Sequence, residues 1–318
     1  MARNLWDTLL DASIFASFDR TGFERHARTF DAHDLELRLT GVRALVTGAN
    51  SGIGFATAVA LAERDAEVVL CCRDADRGRA AMNALRDRHP AARVELAVLD
   101  VSQLADVRRF AAAQGDRPVH LLVHNAGTMP DDRTVTPEGL EVTLATHVLG
   151  PHLLTRLLTP ALTTDGEARV VWVASGGMYS ERLSLDDPEC AERKYAPMQV
   201  YAQTKRMQVV LSALWAEKLR GTGVVVHAMH PGWADTPAVR RYMPRFHARM
   251  EGRLRTPEQG ADTVIWLCVA DAPGHETGRF YFDRAPRRTH LVPWTRESEA
   301  DAAELWAYCE RRVDEVGL

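Results

Sequence analysis

Tyr201 and Lys205 stand four residues apart in the run Tyr201-Ala202-Gln203-Thr204-Lys205. On a helix, positions i and i+4 share a face, so this phenol and ammonium lie side by side. A free tyrosine ionises near 10, and a neighbouring cation favours the phenolate. The pair therefore suits proton transfer, with Lys205 expected to lower the pKa of Tyr201. The chain is sparing with lysine. It has only Lys194, Lys205 and Lys218 among 39 basic residues, so arginine serves wherever a generic positive charge will do. The broad guanidinium fork does not replace a compact ammonium. Ser175 follows the apolar run Val171-Trp172-Val173-Ala174. At the carboxyl end of a buried strand its hydroxyl is placed to hydrogen-bond a substrate oxygen.

A second group of residues points to a phosphate-bearing ligand. The loop Thr47-Gly48-Ala49-Asn50-Ser51-Gly52-Ile53-Gly54 follows an apolar strand and opens a helix. Gly48 permits the tight turn, Gly52 lets backbone approach a pyrophosphate, and Gly54 lets the helix pack close to the sheet. Free N–H groups at the helix start and its dipole favour the anion, with Asn50, Ser51 and Ile53 beside them. The end of the second strand then selects the dinucleotide. An acid there would hydrogen-bond the adenosine ribose, as NAD requires. Here the strand ends Cys71-Cys72-Arg73, and Arg73 suits a 2′-phosphate, so NADP(H) is expected over NAD(H). Asp74, next in the chain, works against that choice.

These residues need a frame. Apolar runs at 42–47, 67–72, 94–99, 119–124, 170–174 and 224–229 read as buried parallel strands. Helical stretches lie between them, near 53–64, 76–88, 103–113, 138–159 and 200–219. Strands alternating with helices predict an α/β fold, a single doubly wound parallel sheet with helices on both faces. The expected organisation is an N-terminal helical extension over 1–40, the α/β domain over 41–290 and a C-terminal helical extension over 291–318. Trp6, Leu9, Leu10, Ile14, Phe15 and Phe18 recur at near-helical spacing after Asn4, a plausible N-cap. They predict one amphipathic helix followed by a polar stretch to about Thr40. That helix packs on the domain or offers a peripheral membrane contact, although its polar face is not basic.

Composition narrows the function class. The 318 residues carry a formal charge of −4, and the arginine pairs never grow into a basic run, so nucleic acid is not expected as a partner. Five cysteines show neither disulfide nor zinc spacing, which suits a reducing compartment and a cytoplasmic location. No secretory signal is read, and no apolar run reaches the roughly 20 residues of a membrane-spanning helix. His120 and His124 share one side of a strand among apolar neighbours, and packing there is expected rather than metal binding. Asp186, Asp187 and Glu189 are expected to be solvated charges on a long insertion between Ser175 and Tyr201. Met178, Tyr179, Met198, Trp233, Tyr242, Met243, Phe246 and Met250 are candidates for an apolar pocket wall suited to a bulky alcohol or ketone.

Taken in order, Thr47–Gly54, Asp100-Val101, Asn125-Ala126-Gly127, Ser175, Tyr201/Lys205 and Pro231-Gly232 resemble the short-chain dehydrogenase/reductase family. The resemblance implies a Rossmann-type fold and an oxidoreductase acting on an alcohol and its carbonyl. It implies that Ser175 orients the carbonyl, Tyr201 carries the proton, and Lys205 binds the nicotinamide ribose. It further implies that Asp100 and Val101 contact the adenine, that Asn125, Ala126 and Gly127 line the cofactor channel, and that Pro231, Gly232 and Thr236 approach the nicotinamide. It leaves a homo-oligomer open, through helices near 138–159 and 200–219, unless the extra termini cover them. One position departs from the family pattern. His147 stands where the family carries a fourth catalytic residue, Asn, whose main-chain carbonyl helps hold a proton-relay water. A carbonyl survives any substitution, so a relay in altered form is expected with His147. The alternative is a dinucleotide-binding scaffold with little turnover.

Overall fold

The strand Arg43–Thr47 (β1) is buried at every position, as a short apolar run must be when helices cover both its faces. The computed structural model describes residues 14–316. Asn4, Trp6, Leu9 and Leu10 of the expected N-terminal helix lie outside those residues. The other strands are Glu67–Cys72 (β2), Arg93–Val98 (β3), Leu121–His124 (β4), Ala168–Val173 (β5), Val224–His230 (β6), Phe280–Phe282 (β7) and Ala285–Pro286 (β8). They form one sheet in the order β3-β2-β1-β4-β5-β6-β7-β8, parallel throughout except for the β7–β8 hairpin. Direction of winding reverses between β1 and β4, and the loops after their carboxyl ends open there into a crevice.

The helices are Ile14–Phe18 (α1), Arg20–Ala27 (α2), Gly52–Ala62 (α3), Ala75–Arg88 (α4), Leu104–Gln114 (α5), Val142–Leu144 (α6), Gly150–Thr163 (α7), Pro197–Lys218 (α8), Pro237–Tyr242 (α9), Pro244–Arg249 (α10), Pro257–Val269 (α11) and Glu299–Glu315 (α12). Between α6 and α7 the chain makes a π turn, Ala145–Leu149. The long helix expected over 138–159 is therefore three pieces. Its crowding is visible at Gly150, where a Cβ would lie 1.8 Å from the Val101 carbonyl oxygen.

The N-terminal segment departs from expectation. It is not one helix and a polar tail. Asp19 breaks the helix and caps the next, accepting from Gly22 N at 3.1 Å, and a 3-10 turn follows at Ala32–Leu35. Phe18, on the apolar face expected either to pack on the domain or to meet a membrane, packs on the domain. Its ring meets His230, Trp233 and Phe282 edge-on at centroid distances of 4.4, 5.8 and 5.0 Å. Its carbonyl accepts from Trp233 N and Arg255 Nε. Arg255 and Asp283 form a buried ion pair, with Arg255 Nη1 to Asp283 Oδ1 at 2.6 Å, and His26 donates to the same carboxylate at 2.6 Å. The helix α2 is thereby tied to the hairpin turn Asp283–Arg284, where both residues have positive φ. Burial works against ionising Asp283, but the His26 hydrogen bond and the Arg255 charge hold its carboxyl below the usual range.

At the other end, α12 lies over α7 and α8. Trp306 meets Trp215 and His152, and Glu310 accepts from His152 and Arg156. The insertion before α8 is braced by the same helix. Glu189 pairs with Arg312 at 2.8 Å and accepts from Tyr308, and its second oxygen takes the Glu141 N–H. Asp187 accepts from three backbone N–H groups of its own loop. Neither is the solvated charge expected of it. No helix among the described residues is long and apolar enough to cross a membrane.

Candidate active site

The glycine loop after β1 forms the floor of a cleft of about 1220 Å³. Gly48 and Gly52 have φ of +66° and +57°, the left-handed region that side chains avoid. Gly54 is needed for space. A Cβ there would lie 2.3 Å from Asn125 Nδ2 and 2.5 Å from the Gly48 carbonyl oxygen. Asn125 Nδ2 in turn donates to the Thr47 and Gly48 carbonyls, which locks the ends of β1 and β4 together. The N-terminus of α3 is left open toward the cleft, because Ser51 makes no side-chain cap. A cradle of glycines at a free helix start fits a dinucleotide pyrophosphate.

Gly48, Asn50, Ser51, Gly52, Ile53, Gly54, Arg73, Asp100, Val101, Asn125, Ala126, Gly127, Ser175, Tyr201, Lys205, Pro231, Gly232 and Thr236 all line this one cleft. Most follow the carboxyl end of a strand or open the helix beyond it, while Tyr201 and Lys205 lie in the first half of α8. Asp74 does not line the cleft. Its carboxylate caps α4, accepting from Asp76 N and Arg77 N at 3.0 and 2.9 Å. Arg77, in the first turn of α4, also lines the cleft. Sequence reasoning missed Arg77, because Arg73 precedes the helix and no helical spacing links the two.

Ser175 caps the 3-10 turn Gly176–Ser180, its oxygen accepting from Gly177 N at 3.2 Å. Its hydroxyl also hydrogen-bonds Tyr201 and pulls the Tyr201 pKa down. Burial outweighs that effect, and the Tyr201 pKa is raised. The expected lowering by Lys205 is not found. The Lys205 ammonium lies 5.5 Å from the Tyr201 ring centroid and spends two donors elsewhere, on Val173 O at 3.0 Å and Gln208 Oε1 at 2.8 Å. Burial also pushes Lys205 itself down to about 7. Tyr201 is thus a protonated phenol at neutral pH, an acid held against a hydroxyl donor.

His147 is the one predicted site residue outside the cleft. Its ring is fully buried beneath Gly127, where a Cβ would lie 3.3 Å from His147 Nε2. Thr128 N–H donates to Nε2 at 3.1 Å, and Nδ1 faces Thr204 Oγ1 at 2.8 Å. This network assigns the neutral ring with its proton on Nδ1. Burial and the Lys205 charge hold its pKa well below the ordinary imidazole value.

The far wall of the cleft is apolar. Met198, Trp233, Tyr242, Met243 and Phe246 line it, with Met129 in addition. Trp233 packs edge-on to Phe246, and Tyr242 reaches Thr128 Oγ1 at 3.1 Å. Three expected members do not reach it. Met178 is fully buried in the main core, Met250 is buried, and Tyr179 donates to the Arg288 carbonyl. Behind the wall, Gly232 has φ of +75°, and a Cβ there would lie 2.3 Å from Arg255 Nε. The buried arginine therefore supports the loop that carries Pro231 and Gly232. His120 accepts from Arg43 N and pairs with Asp165, while His124 contacts Thr155.

The family described as short chain dehydrogenase matches residues 43–245, which contain all the residues lining this cleft except Phe246. The chain belongs to the short-chain dehydrogenase/reductase family. It is 40% identical over 289 residues to dehydrogenase/reductase SDR family member 12 of Bos taurus, covering 90% of each chain. It is 31% identical over 285 residues to human retinol dehydrogenase 13, covering 86% of this chain and 85% of that one. Among solved structures it resembles an uncharacterized protein from Mycobacterium paratuberculosis, with a TM-score of 0.71 and 28% identity over 88% of this chain and 97% of that one. Like other short-chain dehydrogenases/reductases, the protein is an NAD(P)-dependent oxidoreductase acting on CH–OH groups.

Proposed function

We propose that the protein is an NADP(H)-dependent enzyme that interconverts a bulky apolar alcohol and its aldehyde or ketone. The observation that carries the cofactor choice is the pairing of Arg73 and Arg77 on the cleft, with Asp74 turned into its helix cap. Two guanidinium groups here, with the neighbouring Asp74 carboxylate engaged as a helix cap, suit a 2′-phosphate. The glycine loop and the α3 N-terminus would hold the pyrophosphate, Asp100 and Val101 the adenine, Asn125 to Gly127 the channel wall, and Pro231, Gly232 and Thr236 the nicotinamide end. When bound, the cofactor supplies or accepts the hydride.

The protein's own part is proton handling and orientation. Ser175 orients the substrate oxygen. Tyr201, whose raised pKa keeps it protonated at neutral pH, donates a proton to that oxygen in the reducing direction. Lys205 offers its remaining donor to the nicotinamide ribose. The two hydroxyls are placed before charge develops on oxygen, so they stabilise it without reorganisation. An apolar wall of methionine and aromatic side chains supports the substrate class. So does the relative named for retinol, a long apolar alcohol. We further propose a monomer, because α12 covers the faces of α7 and α8 that would otherwise be free to pair.

The test is titration of the protein with NADPH and NADH, followed by nicotinamide fluorescence, then addition of apolar aldehydes and ketones. NADPH is expected to bind more tightly, and Arg73→Ala to weaken NADPH by about ten-fold while leaving NADH unchanged. An unchanged affinity ratio overturns the cofactor assignment. Tight binding with no oxidation across the panel favours a dinucleotide-binding scaffold instead.

A further inference from the structure

The hydrogen bonds of Lys205 lead away from the cleft, to a residue with no part in the chemistry above. Gln208 lies three positions on from Lys205 on α8 and is fully buried. Its Oε1 accepts from the Lys205 ammonium at 2.8 Å, and its Nε2 donates to the His147 carbonyl at 2.9 Å. That carbonyl has no α-helical i+4 donor. In an α-helix it would accept from the N–H four residues on. That residue is Pro151, which has no N–H, and the chain runs here as a π turn. The ring of the same histidine is held between Thr128 N–H and Thr204 Oγ1, and the Thr204 hydroxyl donates to the Tyr201 carbonyl at 2.9 Å.

We propose that Gln208 is a positioning residue: its amide ties the Lys205 ammonium to the His147 carbonyl, whose i+4 donor Pro151 removes, and so aims the remaining ammonium donor into the cleft. The importance of that donor rests on the role given to Lys205 above. Amide chemistry defines what the link does. A primary amide donates and accepts hydrogen bonds but does not release a proton near neutral pH, so the link holds a charge in place and passes none. The His147 ring cannot take over a relay, because a backbone N–H occupies its free lone pair. Lys205, Gln208 and His147 then act as a strut between α8 and the π turn. The titratable groups facing the ammonium are Tyr201 on its own helix and His147 on the π turn.

The lysine-poor composition makes the test direct. Protein labelled with 13C at the lysine ε-carbon gives three side-chain signals, and Lys205→Arg identifies the one from Lys205. Titration of the cofactor-free protein reads its midpoint, which burial places near 7 in the wild type. Gln208→Leu removes an acceptor from the charged form, and the midpoint should fall by about one unit. Gln208→Glu puts a carboxylate there, and the midpoint should rise. NADPH affinity should weaken by about ten-fold in Gln208→Leu and much less in Gln208→Glu. A filler of core space would change the melting temperature and leave the lysine midpoint where it was. A Lys205 midpoint unmoved in a cooperatively folded Gln208→Leu overturns the proposal. Should that variant not fold, a midpoint that fails to rise in Gln208→Glu does the same. Failure of the wild type to bind NADPH would refute the functional reading while leaving the lysine titration to decide the strut.

Discussion

Asp283→Asn isolates the cost of the buried charge pair behind the cleft. Asparagine is close to aspartate in shape and tolerates the positive φ of +49° at this turn position, so the backbone has no reason to move. What changes is charge. Arg255 is 1% exposed and Asp283 4%, and Asp283 accepts from both terminal nitrogens of Arg255 and from His26. Removing one partner of a buried pair costs about 3–5 kcal/mol, because the other charge stays buried. Asparagine keeps one acceptor, so the lower end, about 3 kcal/mol, is expected. Unfolding entropy of roughly 2.1 cal/mol/K per residue over this chain turns that into a fall in Tm of about 5 °C. The sign with pH is fixed by the direction of the shift. The carboxyl of Asp283 is held below its unfolded value, so its contribution is present above about pH 4 and disappears as pH falls through the folded pKa. Differential scanning calorimetry of wild type and variant should show the gap at pH 7 and its closure in acid. NADPH affinity should fall too, because Arg255 packs against Gly232 in the loop at the nicotinamide end. A Tm difference below about 1 °C at pH 7 would refute the reasoning, since no buried charge could then have been left unpaired.

Further expectations follow from single contacts. Gly54→Ala should abolish detectable dinucleotide binding in a fluorescence titration while the protein still folds, because the new methyl meets the Gly48 backbone at 2.5 Å; near-normal affinity would show that the helix can shift. His147→Asn should lower stability by about 1–3 kcal/mol by leaving the Thr128 N–H without an acceptor. A rise in kcat of roughly 100-fold in steady-state assays would instead mark His147 as a defect. All five cysteines are buried, so a thiol reagent should react with the native protein only slowly and with five equivalents after denaturation. Deleting residues 299–318 should convert the protein from monomer to aggregate by light scattering, since it bares the faces of α7 and α8 that Leu305, Trp306 and Val313 cover; a stable monomer would show those faces to be self-sufficient.

The residues that touch the cleft were the most legible part of the sequence, because their chemistry is local. A glycine loop after a strand, a serine at a strand end and a Tyr-Lys pair one turn apart each announce themselves within a few positions. The strand and helix order was equally readable from buried apolar runs. What escaped depends on partners distant in the chain. Nothing near Glu189 announces Arg312, and nothing near Phe18 announces Trp233. Lys205 was read as a neighbour of Tyr201, but its geometry is decided by Gln208 and Val173, and burial sets the pKa of both groups. Asp74 could be an NAD-selecting acid or a helix cap, and only its two backbone partners choose between them. Pro151 was visible four positions after His147, but the need it creates is met by a side chain on another helix.

The bond between His26 and Asp283 joins positions 257 apart, and Asp19 meets Arg253 across 234. A ribosome adding about 5–20 residues per second needs roughly 13–50 s to cover the longer span. During that time Phe18, Asp19 and His26 have been made but have nothing to pack on. A segment made early is therefore among the last to be secured. The parallel strands β1 to β6 can pair beforehand, but the wall holding Trp233 closes only once both distant partners have arrived. Synthesis of this protein carries an interval in which a nearly complete sheet waits for a segment made long before its partners.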